Sequence, residues 1–161
     1  MTSVPERDAI RDRLIEHARH DPGIAGAALV GSTASGGDRW SDLDLTFAVA
    51  PGTTIESALA RWSAWIETEF GGVKLVDLPI PGTIYRVFLF PGALQVDLSF
   101  SEQGVFGSRS PRFELIFGEP VHHPYTVVDS SPADTFGWAI HHLVRARVCI
   151  ERDLPWQADY W

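Results

Sequence analysis

Two short stretches constrain this chain more than any other feature. Around residues 42–49, Leu43, Leu45, Phe47 and Val49 alternate with Asp42, Asp44 and Thr46. Across 93–100, Leu94, Val96, Leu98 and Phe100 alternate with Gln95, Asp97 and Ser99. A period of two is a strand period, because successive side chains leave a strand on opposite faces. Each stretch therefore predicts a strand with one buried apolar face and one polar face. The chain must build a sheet that can use both.

The neighbouring segments supply the rest of a sheet and its cover. Ser3 followed by Glu6 forms a capping box, and Ile10, Leu14 and Ala18 make an apolar stripe, so a helix is expected up to Asp21-Pro22-Gly23. Residues Ile24 to Val30 read as a short buried strand, and Gly31 to Ser41 as a Gly-rich loop. Thr53 and Glu56 suggest a second capping box. Ile55, Leu59, Trp62, Ile66 and Phe70 continue it as a helical stripe that places Trp62 and Trp65 against the sheet. Strands are expected at Val73–Leu78, Thr83–Phe90 and Ala93–Phe100, the last two joined through Pro91-Gly92. A short apolar run follows at Phe113–Phe117, then a helix from Asp134 to Asp153 with Ser131 as candidate cap. This order defines an α/β (α+β) chain with a mixed sheet flanked by helices.

Composition narrows the classes. The 161 residues are 45% hydrophobic and suffice for one compact domain, with a core that disordered chains cannot supply. Cys149 is the single cysteine, which excludes an intramolecular disulfide framework and thiolate-rich zinc sites. A charged amino terminus and short apolar runs lead us to expect a cytoplasmic protein with no membrane partner. The formal net charge is −8 and the sequence pI about 5.1. Twelve arginines and the lone Lys74 are scattered, so no nucleic-acid partner is expected. An acidic chain can still bind a nucleotide whose phosphates are neutralised by metal, and it favours a cationic second substrate.

Asp42 and Asp44 leave one face of a strand about 6.6 Å apart at Cα. Asp97 sits at the equivalent polar position of its own strand. If the two strands are neighbours, all three carboxylates emerge together while both apolar faces share the core. Such a group repels unless protonated or neutralised, and no basic residue occupies a matching position on either strand. A divalent cation is the economical remedy, and hard cations such as Mg²⁺ leave room for phosphate oxygens. Gly31-Ser32 follows a strand directly, where backbone N–H groups and the Ser32 hydroxyl can hold phosphate. GSTASGGD is not a P-loop, since it lacks both the spacing and the lysine.

Taken together, LVGSTASGGDRWSDLDLTFAV and the later LQVDLSF resemble the signature of the nucleotidyltransferase superfamily. The closest flavour is that of the small bacterial members related to aminoglycoside and lincosamide nucleotidyltransferases. The resemblance spans residues 1 to 118 in element order, but only these motifs in residue identity. It implies a nucleotidyltransferase-like fold, with a catalytic domain over 1–128 and a helical segment over 129–161. It implies that Asp42, Asp44 and Asp97 are catalytic and bind two Mg²⁺ ions, and that Gly31 and Ser32 hold the β- and γ-phosphates of a nucleoside triphosphate such as ATP. An acceptor hydroxyl on a small molecule would attack the α-phosphorus, with pyrophosphate leaving. Two alternatives share the motifs: an antitoxin-type enzyme that modifies a protein, and a non-catalytic module that binds nucleotide or a partner.

Other candidates carry less. Arg39, Arg109 and Arg112 lie in or beside loops, where they could meet phosphate or simply water. The pairs His122-His123 and His141-His142 lack metal-ligand spacing. Cys149 in an apolar helix reads as a buried filler. The last helix is apolar around much of its circumference, through Phe136, Trp138, Ile140, Leu143, Val144, Val148 and Ile150, and Leu154, Trp156, Tyr160 and Trp161 follow. Such a helix is expected to be buried on several sides. A second copy of the chain, a partner protein or a further helical region would supply the cover; the simpler alternative is a tail folded back on its own core.

Overall fold

A computed structural model of the chain describes residues 3–31, 34, 41–108, 112–122 and 132–160. The chain divides into two compact units, Met1–Tyr125 and Thr126–Trp161.

In the first unit, helix α1 (Val4–His20) begins with the expected capping box. The Ser3 hydroxyl accepts from the Glu6 N–H, and the Glu6 carboxylate accepts from the Ser3 N–H at 2.8 Å. Strands β1 (Ile24–Val30) and β2 (Leu43–Val49) lead to helix α2 (Ile55–Phe70). The cap of α2 is Thr54, not Thr53: its hydroxyl accepts from the Ser57 N–H at 3.1 Å. Strands β3 (Val73–Ile80), β4 (Thr83–Phe90), β5 (Leu94–Ser101) and β6 (Phe113–Phe117) follow. β3 outlasts the expected strand by two residues, because pairing with β4 continues through Pro79↔Ile84 and Ile80↔Thr83. Proline is tolerated there because β3 is an edge strand.

The sheet is mixed, in the order β3-β4-β5-β2-β1-β6. β2 and β5 pair in parallel, and the other neighbours are antiparallel. The alternation read from the sequence is the reason one face is covered. Leu43, Leu45, Phe47 and Val49 of β2 join Val96, Leu98 and Phe100 of β5 under Leu14 and Ala18 of α1 and Leu59, Trp62 and Ile66 of α2. Trp62 is wholly buried, with its ring 4.5 Å from Phe47 and 5.3 Å from Phe100. Both helices of this unit thus serve one face, and the polar positions of β2 and β5 project from the other. On that second face a small cluster of Ala28, Ala48 and Phe106 closes one end of the strands.

The second unit contains α3 (Pro132–Glu151) and α4 (Pro155–Tyr160). α3 starts two residues before the expected helix, its expected cap Ser131 lies outside the described residues, and α4 was not anticipated. Cys149 is buried, as expected of a filler. In the lone chain, Phe136 of α3 is 67% exposed, Leu143 66% and Ile150 66%. No described helix is long and apolar enough to cross a membrane.

Candidate metal centre

Parallel pairing of β2 with β5 sets Asp44 directly opposite Asp97, with Leu43↔Val96 before it and Leu45↔Leu98 after it. Adjacent strands lie about 4.8 Å apart, so two carboxylates in register on one face are neighbours. Asp42 stands just before β2 and completes the group: one ligand atom from each of Asp42, Asp44 and Asp97 lies within 4.8 Å of the other two. This is the set of potential metal ligands found among the described residues, and all three side chains are half-buried.

The electrostatics of the cluster follow from this crowding. Burial, then the charges of Asp42 and Asp97 and a hydrogen bond with Asp42, raise the Asp44 carboxyl from its ordinary 3.8 to about 7. Asp97 is also raised, chiefly by burial and against a hydrogen bond from Gln95, whose Nε2 donates to its two oxygens at 3.1 and 3.2 Å. Among the described residues, no ion pair reaches Asp44 or Asp97. A hard cation suits this donor set: it takes carboxylate oxygens, and its charge relieves the repulsion that raises Asp44.

Gly31 closes β1 beside the cluster, at φ +67°. A Cβ on this residue would overlap Asp44 Oδ2, so both the left-handed backbone and the close approach require glycine. The turn therefore brings its backbone against the carboxylates. Ser32, Arg39, Arg109 and His123 lie outside the described residues. Arg112, just before β6, and His122, in the segment beyond it, are exposed, and His141 and His142 lie in the other unit with their rings 5.7 Å apart.

Sequence reasoning did not anticipate the cavity beside the acids. It holds about 150 Å³ and is lined in part by Thr46, Tyr85, Ser99 and Ser101. A signal existed: Thr46 and Ser99 lie two residues beyond Asp44 and Asp97 on the same polar faces.

No protein-family model and no curated protein matches the sequence. Among solved structures, the chain is similar to the crystal structure of an aminoglycoside 6-adenyltransferase from Bacillus subtilis. The identity is 14% and the TM-score 0.46, over 98% of this chain and 60% of that one. The chain thus spans about three-fifths of that protein's length. What fold and site define directly is a mixed α+β unit bearing a carboxylate cluster suited to a divalent cation.

Proposed function

We propose that the chain is a metal-dependent nucleotidyltransferase that moves a nucleoside monophosphate from a nucleoside triphosphate to a hydroxyl of a small acceptor. One observation carries this reading: three carboxylates converge within 4.8 Å across two parallel strands, with a glycine turn packed against one of them. A structural set of acids gains nothing from such crowding, whereas a site for Mg²⁺ and phosphate requires it.

Asp42, Asp44 and Asp97 would hold two Mg²⁺ ions. Bound there, the ions supply charge neutralisation for the phosphates and Lewis acidity at the reacting phosphoryl group. The backbone N–H groups that follow β1 at Gly31-Ser32 would orient the β- and γ-phosphates. Asp97 would accept the proton of the acceptor hydroxyl as its oxygen bonds to the α-phosphorus. The bond from that phosphorus to the bridging oxygen breaks, and pyrophosphate carries the electron pair away. Positioning and electrostatics do the rest.

The test pairs binding with turnover. MgATP, MgGTP, MgCTP or MgUTP should raise the melting temperature by mass action, and chelation of Mg²⁺ should cancel the shift. The Asp44→Asn variant should remain folded and lose nucleotidyl transfer by at least about a hundredfold, the scale of removing a group that stabilises transition-state charge. Undiminished transfer in that variant would end the proposal. The exposure of Phe136, Leu143 and Trp156 favours a second reading of the partner, in which a protein or a second copy of the chain docks on the helical unit.

A further inference from the structure

The polar face of the sheet is organised in rows. Asp44 and Asp97 form the first. Two residues further along each strand, about 6.6 Å away, Thr46 pairs with Ser99, and Tyr85 lies opposite Ser99 on β4. The third row pairs Ala48 with Ser101, whose hydroxyl is hydrogen-bonded to Thr83 at 2.9 Å. The cavity of about 150 Å³ lies over the second and third rows, so it begins directly beside the acids.

Its lining is uneven in a useful way. Hydroxyl groups of Thr46, Tyr85, Ser99 and Ser101 gather on the β2, β4 and β5 side, next to Asp97, while Val30 and Phe113 form an apolar wall on the β1 and β6 side. Among the described residues, none that lines the cavity is charged. Thr46 and Ser99 are buried, and no described group engages either hydroxyl by a hydrogen bond. Neither hydroxyl oxygen is sealed from solvent, so both remain able to bond a molecule seated in the cavity they line.

The size and chemistry select a class of ligand. A cavity of this volume takes one six-membered ring. Phosphate is disfavoured, since among the described residues no cation lines the space and the acids adjoin it. A nucleobase edge has fixed donors and acceptors and is read by equally fixed partners such as amides and carboxylates, which the lining does not offer. Rotatable hydroxyls both donate and accept, which matches another hydroxyl group. The overall charge of −8 and the adjoining acids favour a cation at the acid end, yet among the described residues lining the pocket itself none is anionic, so an ammonium group seated inside it would have no charged partner.

We propose that this pocket seats a neutral, hydroxyl-bearing ring of the acceptor, with its hydroxyl edge on Thr46, Ser99 and Tyr85 and its apolar face on Val30 and Phe113. The ring then carries its reacting hydroxyl toward Asp97 in the row above. The assignment rests on the nucleotidyl-transfer reading for the ring's role as acceptor, whereas the pocket's preference for a neutral ring polyol stands on the lining alone.

The experiment is calorimetric titration of the full chain with myo-inositol, glucosamine and cytidine, in the absence of nucleotide. Myo-inositol is expected to bind best. Ser99→Ala and Tyr85→Phe, each deleting one hydroxyl, should weaken it about fivefold apiece, the scale of one hydrogen bond. Melting curves of the two hydroxyl-deletion variants check that each keeps its fold, and either one suffices. No binding of myo-inositol, native affinity retained by both variants, or tighter binding of glucosamine or cytidine would overturn the proposal. Parallel titrations with MgATP, MgGTP, MgCTP and MgUTP separate the two claims: inositol binding without a response to any of the four strikes the nucleotidyl-transfer reading and leaves the pocket assignment standing.

Discussion

Asp44 shows how a single residue trades stability for a candidate function. Its carboxyl titrates near 7 in the folded protein, against an ordinary value of 3.8. Between those values the folded state holds a proton that the unfolded chain has released, so stability falls as pH rises through the window. At pH 8 the folded chain must carry the crowded charge. Replacing Asp44 with Asn removes that cost, and the Mg²⁺-free variant should be more stable than the native chain by about 1–2 kcal/mol after discounting for solvent screening. The difference should vanish near pH 4 and reverse at pH 8 when Mg²⁺ is added to both. Melting curves at the two pH values, with chelator and with Mg²⁺, read all of this; a variant less stable than native at pH 8 in chelator would contradict it. Gly31 is coupled to the same atom. Gly31→Ala forces a side chain into the left-handed region and against Asp44 Oδ2, so it should cost about 1–3 kcal/mol and weaken Mg²⁺ binding together. Denaturant midpoints and Mg²⁺ titration measure the two effects separately.

At the scale of elements, Arg86 ties the β3–β4 edge to α2. Its Nε and Nη2 donate to Asp77 at 2.6 and 2.7 Å, and Nη1 donates to the Leu59 carbonyl and the Ser63 hydroxyl. The Arg86 hydrogen bonds, helped by Lys74 and working against burial, hold Asp77 down at about 2. The lowered value stabilises the fold above the unfolded value near 4, and that contribution is lost as pH falls toward 2. Arg86→Ala should therefore destabilise by about 1–3 kcal/mol at pH 7 and by less at pH 2, read as a shift in urea midpoint. An equal shift at both pH values would show that packing of the arginine stem, and not the ion pair, holds the edge.

Most of these elements were legible because their signals are local. The Ser3–Glu6 capping box, the stripe ending in Trp62 and Ile66, and the alternation in β2 and β5 each lie within a few residues. The choice between Thr53 and Thr54 turned on which hydroxyl reaches an amide three residues on, a distinction of one position that stripe spacing does not resolve. The meeting of Asp44 with Asp97 was legible only as a condition. Parallel pairing of strands some fifty residues apart is set by the whole sheet, not by either strand. Thr46 and Ser99 carried the same polar-face signal as the acids, but a cavity also needs Tyr85, Val30 and Phe113 from three other strands, and no one-dimensional pattern contains that. The apolar α3 was legible as a helix, whereas its exposed side chains depend on what surrounds it.

At the scale of the whole molecule, the helical unit carries a large share of the exposed apolar surface. Phe136, Leu143, Val144 and Ile150 of α3 are each more than half exposed, and Trp156 is 89% exposed. Leaving such side chains in water forgoes about 1.5–3 kcal/mol apiece, so a chain of this composition should associate when given a matching surface. The self-complementary solution is a twofold pair, in which the same face serves both copies. Sedimentation should then show a concentration-dependent dimer, and the double variant Phe136→Asp, Leu143→Asp should shift it at least about tenfold toward monomer. Because neither residue belongs to the sheet unit, Mg²⁺ and myo-inositol binding should be unchanged in that variant. A native chain that stays monomeric at high micromolar concentration would rule out self-pairing and leave a different protein as the occupant of the face.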